Sequence, residues 1–170
     1  MTRSRITRRL RSLATLELFN IPLQYVLWFQ LVDLPATAAN LTGYALFAFL
    51  LLQGAAYWHL KLRQLPRSPL PGAGWFAHAR RWNVLLLAAG LVYTTWSLLR
   101  HPGANTVPGL VFTAAAVLEY VNYFHTQLMY DTAPDLRYLL THGLRRSHLS
   151  RDLSTRRPPA DAPTPGRSAT

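Results

Sequence analysis

The chain has 170 residues, half of them hydrophobic and only 15% charged, yet its net charge is +11. The absence of cysteine excludes disulfides, thiolate metal sites and cysteine nucleophiles. The basic residues avoid the apolar runs and gather between them, which indicates a membrane protein rather than a nucleic-acid binder.

Residues 1–15 form a basic N-terminal segment with Arg3, Arg5, Arg8, Arg9 and Arg11. Four runs follow that are long enough to cross a hydrocarbon core, which takes about 20 apolar residues as a helix. They cover residues 16–34, 41–60, 82–99 and 110–128. The second is the clearest, with Thr42, Gln53 and His59 as its main polar positions. The first is the weakest, since it holds Glu17, Asn20, Pro22, Gln24, Gln30 and Asp33. Those same residues argue against a cleaved signal peptide, so the run is read as a retained helix.

Topology follows from the loops. Lys61, Arg63, Arg67, Arg80 and Arg81 lie between the second and third runs, and Arg137, Arg145, Arg146, Arg151, Arg156, Arg157 and Arg167 follow the fourth. The other two connections carry a single basic residue, Arg100. Positive loops mark the cytoplasmic side, so the first run must also span and both termini are expected in the cytoplasm. The expected fold is all-α, an integral-membrane four-helix bundle. After it, residues 129–153 form a cytoplasmic amphipathic segment with a short helix between Thr132 and Gly143. Residues 154–170 are rich in proline and are expected to be a disordered tail.

Shifting the chain by 66 positions lays LQGAAYWHLKL (52–62) over LEYVNYFHTQL (118–128). Gly43 and Gly109, Gln53 and Glu119, Tyr57 and Tyr123, and His59 and His125 then coincide. This suggests two repeated helical hairpins related by a pseudo-twofold along the membrane normal, although apolar helices also align by chance.

The polar residues share faces. Glu119, Asn122, Tyr123, Thr126 and Tyr130 fall within about 100° on the fourth helix, and Glu17, Asn20 and Gln24 line one face of the first. With Gln53 and Tyr57 they are expected to converge on an intramembrane polar patch near the cytoplasmic side, with Glu119 at the depth of Gln24. A carboxylate at the bilayer centre costs about 2.5–3.5 kcal/mol on insertion scales, and no span interior supplies a lysine or arginine. The patch therefore reads either as a site for a proton, small ligand, lipid headgroup or partner helix, or as interhelical hydrogen bonding.

His59 and His125 could in principle hold a haem or a metal, but on the helical wheel they point sideways from the patch, so no cofactor and no metal are expected. His78, His101, His142 and His148 carry no signal. No nucleophile elbow, phosphate loop, HExxH or paired ExxH pattern occurs.

The block EYVNYFHTQLMYD, followed by DLRYLL and a basic segment ending HLSRDL (119–153), resembles an uncharacterised family of short bacterial four-span inner-membrane proteins, sometimes labelled general stress proteins. The resemblance implies a bacterial inner-membrane home and transfers no catalytic residue. The expectation is a small non-enzymatic inner-membrane protein, accessory or stress-related. Its expected partners are membrane lipids and either a second copy of the chain or another membrane protein. The alternatives are a proton-coupled transporter using Glu119 and a haem-binding redox protein using His59 and His125.

Overall fold

A computed structural model describes residues 3–64, 70, 72–128, 137, 141 and 144–154. Helix α1 (Arg3–Tyr25) continues into a π-helical stretch, Val26–Leu31. Helices α2 (Ala38–Arg63), α3 (Ala73–Arg100) and α4 (Val107–Phe124) follow, and a short α5 (His148–Ser154) closes the described part. The helix expected over 132–143 and the tail beyond Ser154 lie outside the described residues, apart from Arg137 and Thr141.

Helices α2, α3 and α4 are long and apolar enough to cross a membrane. Their outer surfaces are apolar too. Trp82, Leu85, Val92, Trp96 and Leu99 stand exposed along α3, as a lipid-facing helix requires. The chain is a multi-pass all-α membrane protein. Four qualifying spans were expected, and α1 is the one that does not qualify. Its arginines, Glu17, Asn20 and Gln24 dilute the apolar run.

Three boundaries differ from hydropathy. The basic N-terminal segment is not separate from the first helix but forms its first turns, because arginine and leucine are good helix formers and no proline intervenes before Pro22. Helix α3 starts nine residues before position 82, because no proline interrupts 73–81 and Ala73 and Phe76 of its first turn are buried in the core. Helix α4 stops at Phe124, short of 128, where the chain leaves the helix at His125 and Thr126 forms an isolated antiparallel bridge with Arg146. Gln127 N–H donates to the Arg145 carbonyl and Ser147 N–H to the His125 carbonyl, both at 3.0 Å.

The bundle is organised around α2, which packs against α1, α3 and α4. Glycines set its distance from α4. A Cβ added at Gly43 would overlap the Gly109 carbonyl, one at Gly109 would overlap the Ala39 carbonyl, and one at Gly54 would overlap the Tyr123 ring. Small residues let helix backbones approach where no hydrophobic force drives them together. Above this contact Asn40 is fully buried. Its Nδ2 donates to the Pro35 and Ala104 carbonyls at 2.8 and 2.9 Å, and its Oδ1 accepts from Gly109 N–H at 2.8 Å. This one side chain joins both loops at the end away from α5 to the start of α4. An aromatic cluster of Phe29, Tyr44, Phe47 and Phe112, with ring centroids 5.7–6.3 Å apart, ties the π-helical stretch to α2 and α4.

Candidate functional site

At the opposite, basic end, a cavity of about 320 Å³ opens between α1, α2, α4 and α5. That lies at the lower bound of ligand pockets, roughly 300–1,000 Å³. Ile6, Leu10 and Leu13 give one apolar wall from successive turns of α1, and Leu149 of α5 gives another. Tyr57, Trp58 and Tyr123 supply aromatic surface, and Glu17, Asn122, Lys61 and Arg9 supply polar groups.

Two tyrosines organise the polar side. Tyr123 donates to Glu17 Oε1 at 2.5 Å, linking α4 to α1, and its hydroxyl also neighbours the Glu119 carboxyl. Tyr57 donates to Asp152 Oδ2 at 2.8 Å, linking α2 to α5. The same Asp152 accepts two hydrogen bonds from Lys61 Nζ at 2.7 and 2.9 Å, so the charge of Lys61 is balanced locally.

The cavity floor is built from residues that hydropathy leaves unmarked. Ser147 Oγ donates to the Tyr123 carbonyl at 2.5 Å and accepts from Ser150 N–H at 3.1 Å, capping α5 and pinning it to the end of α4. Leu149 is buried beneath it. The His148 ring packs edge-on against Trp58, with centroids 5.9 Å apart, while the residue as a whole is exposed and its Nδ1 accepts from Arg151 at 3.0 Å. Burial of the ring lowers its pKa to about 4, and Arg151, Arg145 and Lys61 reinforce the shift, so the imidazole is neutral at pH 7. The Trp58 indole N–H is buried and has no hydrogen-bond acceptor among the described residues.

The structure brings together some of the expected patch and disperses the rest. Glu17, Tyr57, Asn122 and Tyr123 line the cavity, with Glu119 behind Tyr123. Asn122 Nδ2 lies 3.4 Å from Glu119 Oε2, while its Oδ1 accepts from Leu128 N–H at 2.8 Å. Gln53 turns instead to α3 and forms a reciprocal amide pair with Asn83, at 3.1 and 2.9 Å, both side chains buried. Gln24 stays on α1, donating to Asn20 at 3.2 Å and accepting from Trp28 at 2.7 Å. The α1 partner in the Glu119 neighbourhood is thus Glu17, where Gln24 was expected.

His125 sits 3.2 Å from the Tyr120 hydroxyl, and exposed His59 lies beside Thr15 and Leu18 of α1. Among the described residues no group of three or more His, Asp or Glu side chains is placed to hold a metal ion. Gln127, Ser147, His148 and Leu149, which line the cavity, and Asp152, which holds Tyr57, were missed. The only sequence signal for them is the serine three residues before another serine at the start of a short helix.

No family model matches the chain, and no curated protein or solved structure is similar to it.

Proposed function

We propose that this protein is a non-enzymatic membrane protein that binds a small amphiphilic molecule in the cavity between α1, α2, α4 and α5. The observation that carries the reading is the cavity's mixed lining, Ile6, Leu10 and Leu13 along α1 and, one turn further on, Glu17 facing the tyrosine and amide groups of α2 and α4. An amphiphile matches both halves, its chain on the apolar wall and its head among the polar groups.

The chain crosses the membrane four times with both ends in the cytoplasm of a bacterial inner membrane, α1 being the fourth span. Leu16, Phe19 and Leu23 of α1, with Val26 and Leu31 of the π-helical stretch that continues it, give an exposed apolar surface despite the polar inner face of α1, which supports this reading. The basic end then faces the cytoplasm, and inner-leaflet lipids reach the cavity mouth. The two hairpins are related by a 66-residue repeat. Asn40 bonds the Pro35 carbonyl and Thr106 the His101 carbonyl, two five-residue links exactly one repeat apart, and Gly43 meets its own repeat counterpart, Gly109.

The test uses a variant retaining Trp58 as its sole tryptophan, in neutral lipid nanodiscs. A brominated dodecyl amphiphile should quench Trp58 saturably, and a Leu10→Phe/Leu13→Phe plug should abolish the saturable part. Purely linear quenching, unchanged by the plug, would mean that the cavity holds nothing. A second reading, a proton-coupled carrier, draws on the juxtaposed Glu17 and Glu119. Flux in vesicles that depends on both carboxyls would favour it.

A further inference from the structure

Under the 66-residue repeat, the buried amide pair Gln53–Asn83 has a counterpart: Gln53 corresponds to Glu119, and Asn83 to Glu17. The two pairs correspond in the repeat but differ in hydrogen-bond balance. Each amide brings a donor and an acceptor, so Gln53 and Asn83 satisfy one another, at 3.1 and 2.9 Å, without help. The carboxyl pair brings acceptors alone when ionised. Tyr123 has a single hydroxyl hydrogen, engaged with Glu17, and the Asn122 amide reaches Glu119 only at 3.4 Å. With both carboxyls ionised, the half of the bundle that carries the cavity is the half whose polar pair lacks positive charge and donors.

The nearby cations do not fill that need. Lys61 is occupied by both oxygens of Asp152. His148 is neutral at pH 7. Arg9 is exposed and lies eight residues from Glu17, about 12 Å along the helix axis. Arg11 is exposed and lines a separate hollow with His59 and Leu62, and Arg80 and Arg81 of α3 are exposed as well. Tyr123 is bonded to Glu17, and Tyr57 and Trp58 line the same cavity; aromatic rings attract organic cations while tolerating their apolar substituents.

We infer that the molecule taken by the cavity carries a positively charged head, an alkylammonium, placed beside Glu17 among Tyr57, Trp58 and Tyr123, with its chain along Leu10 and Leu13. This rests on the cavity being a ligand site and adds the charge of the ligand. Glu119 acts behind Glu17 through Tyr123 and does not touch the head.

The experiment compares three brominated amphiphiles with the same dodecyl tail and with trimethylammonium, phosphocholine or carboxylate heads. Each is titrated into the sole-Trp58 protein in neutral nanodiscs, with the plugged variant as the reference for partition. Trimethylammonium should bind at least about tenfold more tightly than carboxylate. Glu17→Gln, which keeps an acceptor for Tyr123, should erase that preference while leaving saturable binding. Glu119→Gln should weaken it only in part. Equal or tighter binding of the carboxylate head would overturn the charge inference and leave the cavity standing. The absence of saturable quenching with all three heads would overturn both. The head preference of the unmutated chain decides the matter even if a variant fails to fold.

Discussion

The Tyr123 hydroxyl donates to Glu17 at 2.5 Å, and this bond joins the least apolar helix of the bundle to α4 at the inner wall of the cavity. Hydrogen bonds between membrane helices are worth about 0.6–2 kcal/mol. Tyr123→Phe should therefore destabilise the protein by about that amount while keeping the ring packed against Gly54. The loss should concentrate in α1, visible as faster amide exchange in α1 than in α2 or α4. Uniform exchange across all helices would contradict the link.

The α2–α4 contact allows no side chain at Gly43 or Gly109, because the obstructing atoms are backbone carbonyls that cannot swing aside. Gly43→Ala should cost about 1–3 kcal/mol by overpacking, measured by unfolding in mixed micelles. Gly90→Ala should cost less, because its nearest obstacle is the flexible Leu46 side chain. Equal tolerance at Gly43 and Gly90 would rule out a glycine-set helix spacing.

The Gln53–Asn83 pair should behave as a reciprocal unit. Gln53→Leu alone leaves the buried Asn83 amide unpaired and should cost about 1–3 kcal/mol. Adding Asn83→Leu should restore much of that loss, since two apolar side chains need no partner in this setting. A double variant as unstable as the sum of the singles would show that the amides do not act on each other.

The His148 imidazole has its pKa lowered to about 4, below the ordinary value near 6.5. The folded protein thus binds fewer protons than the unfolded chain between these values. The contribution is fully present above about pH 6.5 and is lost as the pH falls toward 4. Thermal unfolding of the unmutated protein should show a steeper loss across this window than His148→Gln. Parallel curves for the two proteins would show that His148 does not titrate with folding.

Topology provides the last check. Reporter fusions within 67–71 and after Gly143 should report the cytoplasm, and one within 36–39 the opposite side. A reporter after Gly143 on the far side would require an odd number of crossings and remove the fourth span.

Hydropathy and charge placement, read along the chain, were enough to establish an all-helical membrane protein, the apolar runs at the centres of α2, α3 and α4, and the polar residues that interrupt them, while missing the first nine residues of α3. These properties are local, since each residue contributes its transfer energy and loop charge independently of its neighbours in space. Tertiary structure alone decided which polar residues meet. Helical spacing put Gln24, Gln53 and Glu119 in one patch, but Gln24 bonds within α1, Gln53 turns to Asn83, and Glu17 joins Tyr123. The approach of α2 to α4 is set by glycine contacts, an effect of pairs of backbones that no single helix carries. The cavity floor was hidden for a similar reason. Ser147, His148, Leu149 and Asp152 have ordinary surface-loop chemistry until the chain turns at His125 and folds them back beneath Tyr57 and Tyr123.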